Sequence, residues 1–141
     1  MYVICGEALF DFFAQAQSCA QANKVEFKAI AGGSPFNVAV GLRRLGIDTA
    51  LFAGLSTDYL GQRLKQVLLD EGVSDQFLIR MDAPTTLAMV ALDANGSPAY
   101  SFRGEGCADR QLHTRHLPQL GPEVRGLHVG SFSLVVQPVA D

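Results

Sequence analysis

The chain has 141 residues, 48% of them hydrophobic and 18% charged, with a formal net charge of −3. That is the size of one ordinary domain with enough apolar residues for a real core, and it excludes a disordered or low-complexity chain. With 11 basic residues against 14 acidic ones there is no basic footprint, so nucleic acid and anionic membrane surfaces are not expected as partners.

The start from Met1 to Phe13 is apolar, but it has no basic leader and is interrupted by Glu7 and Asp11. It therefore reads as neither a signal peptide nor a membrane span. Within it, Tyr2 to Cys5 is a short apolar run ending at Gly6, the pattern of a buried strand in a parallel sheet. Glu7 and Asp11 follow at the carboxyl end of that strand, where open α/β sheets collect their ligands. Both acids are site candidates; equally, one caps a turn and the other is solvated. Gln15 to Asn23 is polar and loop-like. Lys24 to Ile30 alternates, with Val25, Phe27 and Ala29 on one face and Lys24, Glu26 and Lys28 on the other. Such a half-exposed strand does not belong in the middle of a two-sided sheet.

An extended run then turns into a helix through Ala31-Gly32-Gly33-Ser34-Pro35-Phe36-Asn37-Val38-Ala39. Two glycines let the backbone take positive φ and let a ligand lie against it. Ser34 is a good N-cap and Pro35 suits the first helical position. Val38, Leu42 and Leu45 fall at core spacing, and the helix is expected to end near Gly46. Asn37 falls in the first turn, beside free backbone N–H groups at the positive end of the helix dipole. That arrangement suits a hydroxyl-rich ligand or an anion; an ordinary strand-to-helix turn with a surface asparagine fits the spacing as well.

Thr49 to Ala53 reads as a second buried strand, closed by Gly54. Thr57 or Asp58 caps the next helix, whose apolar stripe is Leu60, Leu64, Val67 and Leu68 before Gly72. Strand and helix alternate in the order of a right-handed βαβ core. From Gln76 the character changes to short β-rich runs at 77–80, 86–92 and 99–103, the last two joined across Asn95-Gly96, a hairpin signal. With 24–30 they predict a small antiparallel sheet apart from the parallel core, a lid or a pairing surface. Ala108-Asp109 begins a short helical turn toward Leu117, and Gly126 to Val129 is a further core strand. The chain stops where another strand and helix are expected, so it reads as part of a larger protein.

Cys5, Cys19 and Cys107 are an odd number without C-x-x-C spacing, read most simply as free thiols in a reducing cytoplasm. His113 and His116 lack a companion cluster for a metal, His128 sits in an apolar strand run, and Cys107 has no evident activating partner. A G-x-G-x-x-G after the first strand is absent, which disfavours a dinucleotide fold.

Taken together, Gly32-Gly33-x-x-x-Asn37-x-Ala39, Leu45-Gly46, Gly54 and Asp58-x-x-Gly61 resemble the amino-terminal signature of the ribokinase-like (PfkB) carbohydrate kinases. Gly6-Glu7-x-x-x-Asp11 and Phe102-Arg103-x-x-x-x-Ala108-Asp109 most resemble the fructokinase and 2-keto-3-deoxygluconate kinase branches. The likeness runs from Tyr2 to Asp141. It implies an α/β fold, the amino-terminal part of a ribokinase-like three-layer sandwich spanning 1–141, with a β-sheet lid that often forms a homodimer. It implies an ATP-dependent sugar kinase that transfers the γ-phosphoryl group to a primary hydroxyl of a ketose or keto-sugar acid, with ATP and Mg2+ as cofactors.

Residue by residue, the resemblance implies that Asp11 accepts hydrogen bonds from sugar hydroxyls, that Gly32 and Gly33 present backbone to the sugar, and that Asn37 binds further hydroxyls. Phe102 would pack on the sugar and Arg103 reach its oxygens; a solvated strand-end arginine is the other reading of Arg103. The catalytic base and anion hole of these kinases belong to a G-A-G-D motif that does not occur in this sequence, and the glycine turn lacks the Lys-Ser/Thr ending of a P-loop. The chain is thus expected to carry the sugar-binding half without a catalytic residue or a metal site, and to be inactive alone. The alternative is a truncated, non-catalytic sugar-binding or dimerisation module.

Overall fold

The structure, a computed structural model, describes residues 1–15, 23–92, 95 and 97–141. Cys19, most of the polar stretch at 15–23 and Gly96 of the hairpin signal lie outside the described residues. In chain order the elements are β1 (Tyr2–Cys5), β2 (Leu9–Ala14), β3 (Phe27–Gly32), α1 (Ser34–Arg44), β4 (Thr49–Ser56), α2 (Tyr59–Asp70), β5 (Leu78–Met81), β6 (Leu87–Leu92), β7 (Pro98–Arg103) and β8 (Gly126–Val129). Short 3-10 turns cover Ala108–Arg110, Thr114–His116 and Phe132–Leu134.

Two four-stranded sheets result. The first, in the order β5-β4-β1-β8, is parallel throughout. β4 is buried along its whole length, as a central strand covered on both faces must be. Alternate residues of β1 feed two cores. Ile4 joins Leu51, Ala53, Phe36, Ala39, Leu64 and Leu68 under the two helices, whereas Val3 joins Phe52 and Leu112 on the other face. Ile4, Leu51, Leu64 and Leu68 are fully buried, and each contributes about 1.5–3 kcal/mol of transfer free energy.

The second sheet, β3-β2-β6-β7, is the expected lid, set apart from the parallel core. Three expectations about it change. It is mixed rather than antiparallel, because β2 and β6 run parallel while β3 and β7 pair antiparallel at the two edges. Asp11, expected simply to follow the carboxyl end of β1, lies within the lid strand β2. The run predicted at 77–80 is not a lid strand: β5 pairs with β4 in the parallel core. The reason is two-sided burial, since Leu78 packs under the helices while Phe77, Ile79 and Met81 pack on the opposite face. A strand arriving from a right-handed crossover helix, here α2, joins its parent strand.

Smaller differences have equally local causes. Gly33, not Ser34, is the N-cap of α1, with φ at 101° and no side-chain cap, so Ser34 is already helical. Leu45 is exposed, and Phe36 takes the core place instead. β4 runs on through Gly54 to Ser56. β8 is the sheet edge, and Leu127, His128 and Val129 are exposed there rather than buried.

Asp58 is the cap of α2. Its carboxylate accepts from Gly61 N–H at 2.7 Å and also from Thr85 N–H at 2.9 Å and Thr85 Oγ1 at 2.7 Å. Burial acts to raise the Asp58 carboxyl, but the Gly61, Thr85 and Ser56 hydrogen bonds outweigh it and hold it below the usual range. One side chain thus starts a helix and ties down the entry to β6. Asp58→Ala is expected to cost about 1–3 kcal/mol of stability, a cap plus a stranded polar pair. It should read as a lower urea midpoint at unchanged slope; an unmoved midpoint would refute the latch.

Candidate functional site

The carboxyl ends of β1, β4 and β8 meet the start of α1 and the lid strand β2, the edge where α/β sheets place their ligands. On the lid, strand pairing puts Ile30, Asp11, Ala88 and Phe102 in one row across β3, β2, β6 and β7. Residues opposite one another share a face. With neighbouring strands about 4.8 Å apart, the Asp11 carboxylate and the Phe102 ring stand about 10 Å apart on the same surface, a span that fits one small ring-shaped ligand.

Asp11 is half-buried, and its carboxylate has no hydrogen-bond or ion-pair partner among the described residues. Burial pushes its carboxyl up. Gly32, diagonally across on β3, leaves that carboxylate its space: a Cβ at position 32 would lie 2.5 Å from Asp11 Oδ2. An acceptor held partly out of water with no partner of its own is chemically poised for an external donor.

The glycine turn forms the adjoining wall. Gly33 has φ at 101°, in the left-handed region, and a Cβ there would meet Glu7 O at 2.7 Å, so backbone and not side chain faces the cleft. Asn37 N–H closes the first turn of α1 on Gly33 O at 2.9 Å. Its side-chain amide is exposed, with no protein partner among the described residues. Asp11, Gly32 and Phe102 thus share one face of the lid, and Gly33 and Asn37 stand at the start of the helix that follows β3 directly.

Arg103 is placed differently. As the neighbour of Phe102 in a strand it points to the opposite face, and its guanidinium Nη1 donates to Ser101 Oγ at 2.7 Å and to Phe102 O at 3.3 Å. It is exposed and bound back onto its own strand.

Glu7, the other early acid, is 2% exposed and wholly engaged. Its carboxylate accepts from the N–H groups of Ser131, Phe132 and Ser133 and from both serine hydroxyls. Burial acts to raise the Glu7 carboxyl, but the Ser133, Ser131 and backbone hydrogen bonds together hold it below its ordinary value. Glu7 is therefore the structural acid of the pair and Asp11 the available one.

Three residues near the lid were not legible as site members. Phe132 stacks on Phe102 with centroids 4.6 Å apart. The Arg110 guanidinium lies 5.3 Å from the Phe132 ring centroid, within cation–π reach. Asp109, 3% exposed, accepts from the Thr86 hydroxyl at the base of β6; burial pushes its carboxyl up, against the Thr86 bond and the Arg110 charge. The sequence signal was Ala108-Asp109 at the end of the segment Phe102-Arg103-x-x-x-x-Ala108-Asp109, and the partners of this turn are distant in the chain.

His113 and His116 close a turn on one another, His113 N–H donating to His116 Nδ1 at 3.1 Å. Among the described residues no group of three His, Cys, Asp or Glu side chains could hold a metal. Cys5 and Cys107 are free, and burial pushes both thiols up, the direction of unreactive cysteines. No helix among the described residues is long and apolar enough to cross a membrane. A cavity of about 630 Å³ lies on the side of the parallel sheet away from the helices, lined by Val3, Phe52, Leu112, Leu127, Val129 and Leu134. Its hydrocarbon walls suit packing rather than hydroxyl recognition.

Comparison with known proteins places the chain in a family. The family model described as pfkB family carbohydrate kinase matches residues 1–138. The chain is 37% identical over 141 residues to a fructokinase of Rhizobium leguminosarum bv. trifolii, covering all of this chain and 42% of that protein. It is 36% identical to the probable chloroplastic fructokinase-6 of Arabidopsis thaliana, covering 97% of this chain and 36% of that one. Among solved structures, the fructokinase from Xylella fastidiosa superposes with a TM-score of 0.87 at 31% identity, over 99% of this chain and 43% of its own. The same enzyme with bound ATP gives 0.84 at 30% identity, over 99% and 44%. The chain thus spans less than half the length of these relatives. With a family model matched over nearly its whole length and the ribokinase-like architecture in place, this chain belongs to the pfkB family of carbohydrate kinases.

Proposed function

We propose that this chain is the sugar-binding half of an ATP-dependent, fructokinase-like enzyme that phosphorylates a primary hydroxyl of a ketose or keto-sugar acid. The observation that carries this reading is the unpartnered Asp11 carboxylate, set in one row with the Phe102 ring and beside the glycine turn. Asp11 would accept from a pair of sugar hydroxyls, Phe102 would cover an apolar face of the ring, and Gly32 and Gly33 would let the sugar approach backbone. Asn37 would donate and accept at a further hydroxyl. Arg103 would reach the sugar only by leaving Ser101. The similarity to fructokinases over the whole chain supports the ketose preference.

ATP enters this proposal through the relative solved with ATP bound, and Mg2+ through the family resemblance alone. Phosphoryl transfer requires a base and donors for the migrating phosphoryl group, and the residues present supply neither a G-A-G-D motif nor a metal cluster among those described. What this chain contributes is binding, orientation and exclusion of water from one side of the sugar. Homodimerisation through the outer lid, where Val25 and Phe27 are exposed, and a cytoplasmic setting complete the proposal.

Asn37→Ala in the full-length protein tests the site. Losing hydrogen bonds to a buried hydroxyl costs about 1–3 kcal/mol, so the fructose KM should rise about 5- to 150-fold with the fold intact. An unchanged KM and turnover would remove Asn37 from the site.

A further inference from the structure

Glu7 is a buried carboxylate that the proposed sugar contacts do not use. It faces no cation in any hydrogen bond or ion pair among the described residues; the dipoles of the 131–133 turn alone compensate its charge. Oε2 accepts from Ser133 Oγ at 2.7 Å, Ser133 N–H at 3.1 Å and Ser131 N–H at 3.3 Å, and Oε1 from Ser131 Oγ at 3.1 Å and Phe132 N–H at 3.4 Å. Three successive N–H groups converging on one carboxylate form an anion nest, and a nest filled from within the chain fixes the turn that makes it. The residue in the middle of that turn is Phe132. Its ring is the one that leaves the body and lies on the lid, nearly parallel to Phe102 at 20°, while Phe102 stacks in turn near Tyr100 at 6.2 Å.

β7 is tied along its length to β6, and outside its own sheet its ring contact is with the 131–133 turn. Every residue of β7 is exposed, and the strand is a sheet edge paired only with β6. The Phe102–Phe132 contact is therefore a main restraint between the lid edge and the body. Arg110 reinforces it from the other side, its guanidinium over Phe132 and its Nη2 where a Cβ at Gly104 would sit, 2.3 Å away. That contact pins the segment just after β7 as well.

We infer that Glu7 is a positioning residue for the sugar site: by holding the 131–133 turn it sets Phe132 against Phe102 and so fixes how β7 closes over the row that contains Asp11. The inference rests on the proposed sugar site for its effect on binding, but the coupling itself is a mechanical statement about two segments of this chain. Glu7 touches no substrate; it acts through Phe132.

The experiment combines backbone hydrogen exchange with kinetics on the full-length protein, fructose being the probe. Glu7→Gln keeps the shape but turns two of the acceptor positions into donors facing donors. It should speed exchange in both 131–134 and 98–103 and raise the fructose KM about tenfold while kcat changes less, the size expected when a stacked aromatic contact is loosened. Phe132→Leu should speed exchange in 98–103 while leaving 131–134 protected, and Phe132→Tyr, which preserves the stack, should restore both exchange and KM. If Glu7→Gln loosens 131–134 yet leaves 98–103 and KM unmoved, or if Phe132→Leu leaves 98–103 unchanged, the inference is overturned. Should Glu7→Gln fail to fold, the two Phe132 variants decide. An Asp11→Asn arm separates the two ideas: a KM untouched by Asp11→Asn refutes the sugar site, whereas the exchange results alone judge the coupling.

Discussion

Asp11→Ala in the full-length protein is expected to lower kcat/KM for its sugar by about 10²- to 10³-fold with little loss of stability. The magnitude follows from two hydrogen bonds to a charged group, each worth about 1.5–2 kcal/mol, the lower part of the range for such bonds at a half-buried site, at about 1.4 kcal/mol per factor of ten. Stability should hold because the carboxylate has no partner to lose among the described residues. The pH dependence carries the same information. Burial raises the Asp11 pKa, so the native chain keeps its proton at pH values where the unfolded chain has released it. Between the two pKa values the native state binds more protons, and stability falls as pH rises through that window. Sugar binding runs the opposite way: it is lost on acidification, with a midpoint above the ordinary aspartate range of about 3.9. Asp11→Asn should abolish both dependences. A steady-state profile in which sugar affinity is flat across that range, or an Asp11→Ala enzyme with unaltered kcat/KM, would remove Asp11 from the site.

Gly6→Ala is expected to be the most destabilising small substitution, about 3–5 kcal/mol, enough to leave little folded protein at working temperature. Gly6 has φ at 146°, and a Cβ there would lie 2.0 Å from Gly130 O and 2.4 Å from Pro35 Cγ. Strain in a conformation that L residues avoid costs about 1–3 kcal/mol, and overpacking against backbone adds a similar amount. The position matters because the end of β1, the end of β8 and the first turn of α1 converge on that one carbon, directly beneath Glu7 and Gly33. Gly41 is the internal contrast: it lies inside α1 with nothing within 4 Å of its would-be Cβ. Gly41→Ala should raise stability by about 0.5–1 kcal/mol through helix propensity. Denaturant midpoints for the pair decide the point, and equal shifts would show that close approach at Gly6 is not what makes it a glycine.

Much of the fold was readable because it is written in local periodicity. The apolar stripe Leu60, Leu64, Val67 and Leu68 with Asp58 before it could form little but a capped helix docked on a sheet, and the Val-Ile core of β1 could only be a covered strand. The lid strands at 87–92 and 98–103 were signalled by the β-rich runs at 86–92 and 99–103 and by Asn95-Gly96 between them. The run at 78–81 misled because a strand of 4 residues has too few positions for period two to show on which sheet it lies. Its partner is chosen by α2, whose crossover delivers it beside β4. Ser34 misled for a different reason: capping preference concerns side-chain oxygen, while the N-cap is set by where the backbone turns, and Gly33 turns it.

The same division runs through the candidate site. The sequence alone determined the chemical parts: an acid soon after the first strand, a double glycine before a helix, an asparagine one turn in, and an aromatic residue at the end of a β-rich run. Each depends on neighbours within a few residues, and such short-range constraints survive in the order of the chain. Which of the two early acids is free was decided only by the tertiary structure. Glu7 and Ser131 to Ser133 are more than 120 residues apart, and only when β8 joins β1 do the turn's N–H groups reach the carboxylate. Asp11 became the available acceptor because β2 carries it away from that nest and pairs it in line with Ala88 and Phe102. Strand register is a property of two segments at once, so neither segment alone contains it. Once register places a carboxylate in a half-buried row without a partner, the physics of burial makes it ready for a ligand.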